Sequence, residues 1–238
     1  VAGKSVLEIG AGLGAPSLTA AHRGARKVAL TDVDPTAVRN AAYNAGMNLG
    51  KEVSSKIACA AHDWDDDDSY SDSDDDGAGT CSLGRALSRA GFRFDRGGVD
   101  EGADGVLVDG ADDDGGEKSH EYVTFDVVLG ADVVHEQGMA RGVATMLGKH
   151  LGRGPDAFAV IVNPAPAHRS GAGDLPSRLE SAGMSFVKVS VTSAMLRVGV
   201  MEETEDVRLD MFLIRRKEWG EPDVASLEDV TDEWARHA

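Results

Sequence analysis

Ten residues near the start of the chain, VLEIGAGLGA (6–15), run an apolar strand straight into three alternating glycines and then into a helix. Gly10, Gly12 and Gly14 let the backbone turn tightly and approach a ligand closely beside a helix N-terminus. Three glycines exceed what a strand-to-helix turn requires, so a nucleotide-type cofactor is expected here. Gly10, Gly12 and Ala15 also satisfy the G-x-G-x-x-G/A pattern. The turn alone therefore leaves nicotinamide cofactors and S-adenosylmethionine both open.

The remaining chain extends this start into an α/β pattern. SVLEI (5–9), KVALT (27–31), VSSKIACA (53–60), VTFDVVLG (123–130) and AFAVIV (157–162) read as strands, with helix-like segments between them. Pro16 and Pro35 sit near helix starts, and Gly24 and Gly46 near helix ends. Alternation of this kind implies a parallel sheet covered on both faces. MSFVKVSVTS (184–193) and VRLDMFLIRR (207–216) follow with no helix required between them, which predicts an antiparallel pair at the sheet edge.

Residues 65–121 interrupt the rhythm. DWDDDDSYSDSDDDGAG and GGVDEGADG are rich in Asp, Ser and Gly, and such segments bury too little apolar surface to order themselves. A mostly disordered acidic insertion is expected within a single domain of residues 1–238, with a helical turn or two in LGRALSRAGFRF and a short strand in GVLVD. Asp72, Asp74, Asp76 and Gly77 copy the opening of a calcium loop, but Leu83 stands where the bidentate Glu belongs, and no metal is expected.

The insertion also accounts for most of the charge. The chain carries −17 overall, and residues 65–117 hold 17 Asp and Glu against four Arg, leaving only about −4 elsewhere. No basic stripe tracks phosphates, which argues against nucleic acid as a partner. No run approaches the roughly 18 apolar residues that span a bilayer. Cys59 and Cys81 make neither a disulfide framework nor a metal site. The reading expects a monomer in a reducing compartment, cytoplasmic or nuclear.

Candidate site residues lie at the strand ends. Asp32 closes the second strand, 22 residues after Gly10, where a carboxylate can accept from both ribose hydroxyls; Asp34, before Pro35, is placed to cap the next helix. Glu8 lies inside an apolar strand, where a carboxylate needs donors from a ligand or a neighbouring loop. FDVVLGADVVHE (125–136) ends a core strand in Gly130, Ala131 and Asp132, with His135 close behind.

In this order VLEIGAGLG, LTDVD, HDW and FDVVLGADVVHE resemble the class I methyltransferases, and more narrowly the family 16 protein-lysine methyltransferases, over nearly all of residues 3–64 and 121–216. The resemblance implies a Rossmann-like seven-stranded sheet in the order 3-2-1-4-5-7-6 with strand 7 antiparallel, and S-adenosylmethionine as cofactor. It implies Gly10, Ala11 and Gly12 as the cofactor turn and Asp32 as the ribose carboxylate. Trp64 is implied beside the adenine, Asp63 at its exocyclic amine, and Ala131 against the methionine portion; the alternative for Trp64 is a plug over the strand ends. Two departures stand out: the family's D-x-x-Y or D-x-x-F reads Asp132, Val133, Val134, His135 here, and the family's segment ahead of the first strand, with its covering tryptophan, has no counterpart.

Methyl transfer to lysine requires an unprotonated amine held in line, so burial and orientation carry most of the work. Asp132 is expected to orient the amine and His135 to line the channel or pass a proton to solvent. The alternative has Asp132 holding a loop and His135 filling space. The expected function is a methyltransferase acting on a lysine of a protein; a small-molecule methyltransferase and a degenerate, cofactor-binding relative are the alternatives. Gly130, Ala131 and Asp132 replace the N-P-P-Y or D-P-P-Y that base amino-methyltransferases carry after strand four, and there is no room for a dehydrogenase's second domain.

Overall fold

The structure is a computed structural model describing residues 1–65, 82–95, 105–109, 121–191 and 208–223. Ten strands run β1 (Ser5–Glu8), β2 (Lys27–Asp32), β3 (Ile57–Ala61), β4 (Phe94–Asp95), β5 (Gly105–Asp109), β6 (Glu121–Thr124), β7 (Val127–Ala131), β8 (Phe158–Pro164), β9 (Met184–Val191) and β10 (Leu209–Arg216). Among the described residues six α-helices accompany them: α1 (Ala15–His22), α2 (Pro35–Asn48), α3 (Lys51–Ser54), α4 (Ser82–Arg89), α5 (Met139–His150) and α6 (Leu175–Ser181).

Seven strands form one sheet in the order β3-β2-β1-β7-β8-β10-β9. Because β4, β5 and β6 belong elsewhere, this is the expected 3-2-1-4-5-7-6 order. β1, β2, β3, β7 and β8 are mutually parallel, and β10 runs antiparallel between β8 and β9.

The pleat explains why helices cover both faces. Val6 is in register with Val28 and Val127, and Leu7 with Ala29 and Val128. Alternate rows point to opposite sides of a sheet. The Val6 row packs with Ala20, Ala21 and Ala25 around α1, while the Leu7 row packs with Leu147 of α5 and Leu179 of α6. Burying each Val or Leu fully is worth about 1.5–3 kcal/mol, so a sheet buried on both sides is the main source of stability.

Two expected strands are shorter than their sequence suggested. In VSSKIACA the strand begins at Ile57, because the preceding residues close the single turn α3, where the Ser54 and Ser55 hydroxyls donate to the Lys51 and Glu52 carbonyls. VTFDVVLG divides at Phe125–Asp126. Phe125 bridges to Leu151, and the Asp126 carboxylate accepts from the Ser5 N–H at 2.7 Å and the Ser5 hydroxyl at 2.9 Å, fixing the start of β7 against the start of β1.

Within residues 65–121, the helical turns expected in LGRALSRAGFRF and the short strand expected in GVLVD are both present, while the expectation of disorder falls on stretches outside the described residues. α4 places Leu83 and Leu87, both fully buried, in the same core as Leu7, and Phe92 meets Phe125 edge-on at 5.7 Å between centroids. β4, β5 and β6 make a small sheet in that order, β4 parallel and β6 antiparallel to β5. Residues 66–81, 96–104 and 110–120, including the calcium-like stretch and Cys81, lie outside the described residues, as do 192–207 between β9 and β10. Among the described residues no helix is long and apolar enough to cross a membrane.

Candidate active site

A cleft of about 650 Å³ opens at the C-terminal ends of β1, β2, β3 and β7. Strand order reverses between β1 and β7, the switch point where open α/β sheets bind ligands. Gly10, Asp32, Asp63, Trp64, Asp132 and His135 all line this cleft. Residues drawn from four separate stretches of sequence are thus brought to one space.

The glycine turn forms its floor. Gly10 has φ +60°, and a Cβ there would also fall 2.9 Å from Val133 Cγ1, so both backbone and packing demand glycine. Beyond it, nothing lies within 4 Å of where a Gly12 Cβ would stand. The backbone is open to close approach at that point. Ala11 is buried behind the turn, its N–H bonded to the Thr31 carbonyl at 2.9 Å.

Asp32 braces the turn. One carboxylate oxygen accepts from the Gly12 N–H at 2.8 Å and the other from the Asp34 N–H at 2.9 Å. A carboxylate offers about four lone-pair sites, so capacity remains for ligand hydroxyls. Asp34 caps α2 as expected, accepting from the Thr36 N–H at 2.7 Å, with Pro35 in the first turn.

Glu8 lies behind the turn rather than on the cleft wall. It is 1% exposed and accepts from the Ser17 N–H at 2.9 Å, a donor supplied by the first turn of α1. Burial pushes its carboxyl up to about 7, against the Ser17 hydrogen bond that pulls it down, with the nearby Asp32 charge adding to the rise. Its role in this geometry is to tie α1 to β1 beneath the turn.

On the far side, Asp63 and Trp64 follow β3. The Asp63 carboxylate accepts from the Asp65 N–H at 3.1 Å and is otherwise exposed. Trp64 is half-buried between the glycine turn and α5; a Cβ on Gly142 would fall 2.8 Å from its Cε3, so α5 needs glycine there to admit the indole. Trp64 therefore has one flank in the core and one on the cleft.

Asp132 has φ +52°, the one non-glycine residue with positive φ among those described. Asp and Asn tolerate this region better than most residues, and three backbone bonds hold it here. Its N–H donates to the Val162 carbonyl at 2.7 Å, and the Val133 and Val134 N–H groups donate to Asn163 Oδ1 at 2.9 and 3.2 Å. The side chain meets Arg169 in a fork, with Nε to Oδ1 at 3.0 Å and Nη2 to Oδ2 at 2.8 Å. Hydrogen bonds from Arg169, then its charge and that of His135, hold the Asp132 carboxyl below the usual range. His135 Nδ1 stands 3.8 Å from Asp132 Oδ1, an ion pair when protonated, and half of the ring is in solvent. Ala131 ends β7, exposed and outside the cleft lining.

Sequence reasoning missed Arg169, Asn163 and Gly142. Their roles come from contacts between residues distant in sequence, and no local pattern marks them.

Comparisons with known proteins agree with this architecture. A family model described as ribosomal protein L11 methyltransferase (PrmA) matches residues 1–71. Over 68 residues the chain is 44% identical to the protein N-terminal and lysine N-methyltransferase efm7 of Aspergillus fumigatus; this covers 28% of the chain and only 26% of that protein's length. Among solved structures, an S-adenosylmethionine dependent methyltransferase from Mesorhizobium loti superposes with a TM-score of 0.51 at 13% identity, covering 91% of this chain and 92% of that one. The magnesium protoporphyrin IX methyltransferase of Synechocystis PCC 6803, with bound SAH, gives 0.52 at 13% identity over 90% and 75%. With its 3-2-1-4-5-7-6 strand order and these structural neighbours, the chain has the class I methyltransferase fold.

Proposed function

We propose that this chain is an S-adenosylmethionine-dependent methyltransferase acting on a lysine side chain of a protein. The observation that carries the reading is the convergence of an open glycine turn, Asp32, Trp64 and Asp132 on one cleft at the switch point. The match to a protein named for N-terminal and lysine methylation supports an amine on a protein as substrate.

The residues present suit the cofactor. Gly12 leaves backbone open for close approach, Asp32 keeps free lone pairs for ribose hydroxyls, and Trp64 presents an aromatic flank to a purine, with Asp63 beside it as an acceptor. Ala11 backs the turn. When bound, S-adenosylmethionine supplies an electrophilic sulfonium methyl group. Asp32, Asp63, Asp65 and Asp132 outnumber Arg141 in the lining, so the cleft favours cationic ligands. An ammonium has no lone pair to attack with until it loses a proton. Asp132, held ionised, orients the arriving amine and stabilises positive charge on it, while half-exposed His135 can hand the released proton to solvent.

Isothermal titration with S-adenosylmethionine and NADH, followed by labelled methyl transfer into a proteome extract, tests this. The expected result is binding of the first ligand alone and label on lysine side chains. Binding of NADH, or label confined to RNA or metabolites, overturns it; label on protein N-termini retains the cofactor and moves the acceptor.

A further inference from the structure

The loop after β8 carries Arg169 onto Asp132, a contact that neither the glycine turn nor the fold requires. Both carboxylate oxygens are taken by the guanidinium, at 3.0 and 2.8 Å. Two backbones converge to allow it: a Cβ on Gly171 would collide with the Glu136 carbonyl, so the Arg169 loop lies directly against the loop that follows Asp132. The pair is nonetheless wet, with the Arg169 side chain 39% and the Asp132 side chain 47% exposed. Buried ion pairs are costly to break, but exposed ones are weak and exchange readily.

We propose that Arg169 occupies the seat of the substrate's ammonium group, so that a cationic amine reaches Asp132 only by displacing the guanidinium, and Arg169 thereby sets amine specificity. The inference rests on the reading of Asp132 as the amine-orienting carboxylate. A guanidinium fork matches a carboxylate in two parallel bonds, whereas an ammonium is a point charge. In a contest for Asp132 alone, a free alkylamine therefore loses. A lysine presented by a protein brings binding energy from contacts elsewhere on the surface, and that energy can be spent on displacing Arg169. The pair thus discriminates against free amines and in favour of lysines delivered by a macromolecule. This goes beyond what the cofactor cleft implies, because it separates a protein substrate from a small-molecule one.

The test is a nuclear magnetic resonance titration of the Asp132, Val133 and Val134 amides with n-butylammonium chloride and, separately, sodium acetate. Wild type, Arg169→Gln, Arg169→Lys and Asp132→Asn are compared. Butylammonium is expected to bind Arg169→Gln about threefold to tenfold more tightly than wild type, the equilibrium counterpart of an exposed bidentate pair. Arg169→Lys should fall between them, and Asp132→Asn should show no binding. Equal or weaker binding to Arg169→Gln, or no binding to either protein, overturns the proposal. So does acetate binding to wild type that disappears in Arg169→Gln, since Arg169 is then an anion anchor. Neither cofactor nor turnover is needed. Failure here with lysine labelling intact removes the displacement alone, whereas success here without lysine labelling removes the proposed reaction alone.

Discussion

At the scale of single residues, the cleft depends on Asp132 being held where an L residue resists standing. A left-handed backbone costs roughly 1–2 kcal/mol, and the neighbouring bonds must supply it. Asn163 is the principal brace: it is 1% exposed, and its Oδ1 accepts both the Val133 and Val134 N–H groups. Leucine matches its size but accepts nothing. Asn163→Leu leaves two buried donors unpaired, each worth about 1–3 kcal/mol, so urea denaturation should show a loss of about 2–5 kcal/mol. A loss below about 0.5 kcal/mol would mean that water or a backbone shift satisfies both groups and that Asn163 does not brace Asp132. The same residue explains part of what sequence could not reveal. Asn163–Pro164 ends β8 and reads in sequence as an unremarkable strand end; only its position beside β7 gives the amide a function. The placement of Asp32 at a strand end, by contrast, was legible in local order alone, and that of Trp64 after the third strand through the family resemblance; both line the cleft.

At the scale of elements, β1 and α1 are coupled through Glu8, and that coupling is pH-dependent. Its carboxyl, ordinarily at 4.5, is raised to about 7 by burial in the folded chain. The folded state therefore holds this proton more tightly than the unfolded chain does. The contribution of Glu8 to stability is intact below pH 4.5 and is lost as pH climbs through 7, by about 3 kcal/mol in total. Glu8→Gln removes the titration while keeping an oxygen for the Ser17 N–H. Stability of this variant relative to wild type should increase between pH 4.5 and pH 8, read as the difference of two denaturation series so that all other carboxylates cancel. A difference that stays constant with pH would place the Glu8 proton affinity near that of the unfolded chain. Parallel direction was readable from runs such as SVLEI and KVALT, and strand order from the family resemblance, whereas two strand limits were not. In VTFDVVLG, apolar residues flank Asp126 on both sides, and the break comes from its carboxylate bonded to Ser5, a residue 121 positions away. In VSSKIACA, Val53 and the two serines suit a strand by residue type, but serine hydroxyls bonded to nearby carbonyls favour the α3 turn.

At the scale of the whole molecule, the middle of the acidic segment carries more than its composition suggests. The helical turns expected there are α4, and Leu83 and Leu87 are four residues apart on one face of it. Both are fully buried in the core that contains Leu7, Val128 and Leu147, and His62 at the end of β3 meets the Ser82 hydroxyl at 3.1 Å where α4 begins. The segment therefore returns to the sheet beside Asp63 and Trp64, and part of the support for that side of the cleft comes from it. If α4 is integral to the core, Leu87→Ala should cost about 2–5 kcal/mol, as deletion of a buried leucine does in a close-packed interior. A surface substitution changes stability by about 0.5 kcal/mol or less, which sets the other limit. Urea denaturation of Leu83→Ala and Leu87→Ala distinguishes the two: a large loss with a single cooperative transition makes α4 part of one folding unit with the sheet. A loss within the surface range would mean that α4 docks too weakly to support Trp64, and the cleft would then rest on the sheet and α5 alone.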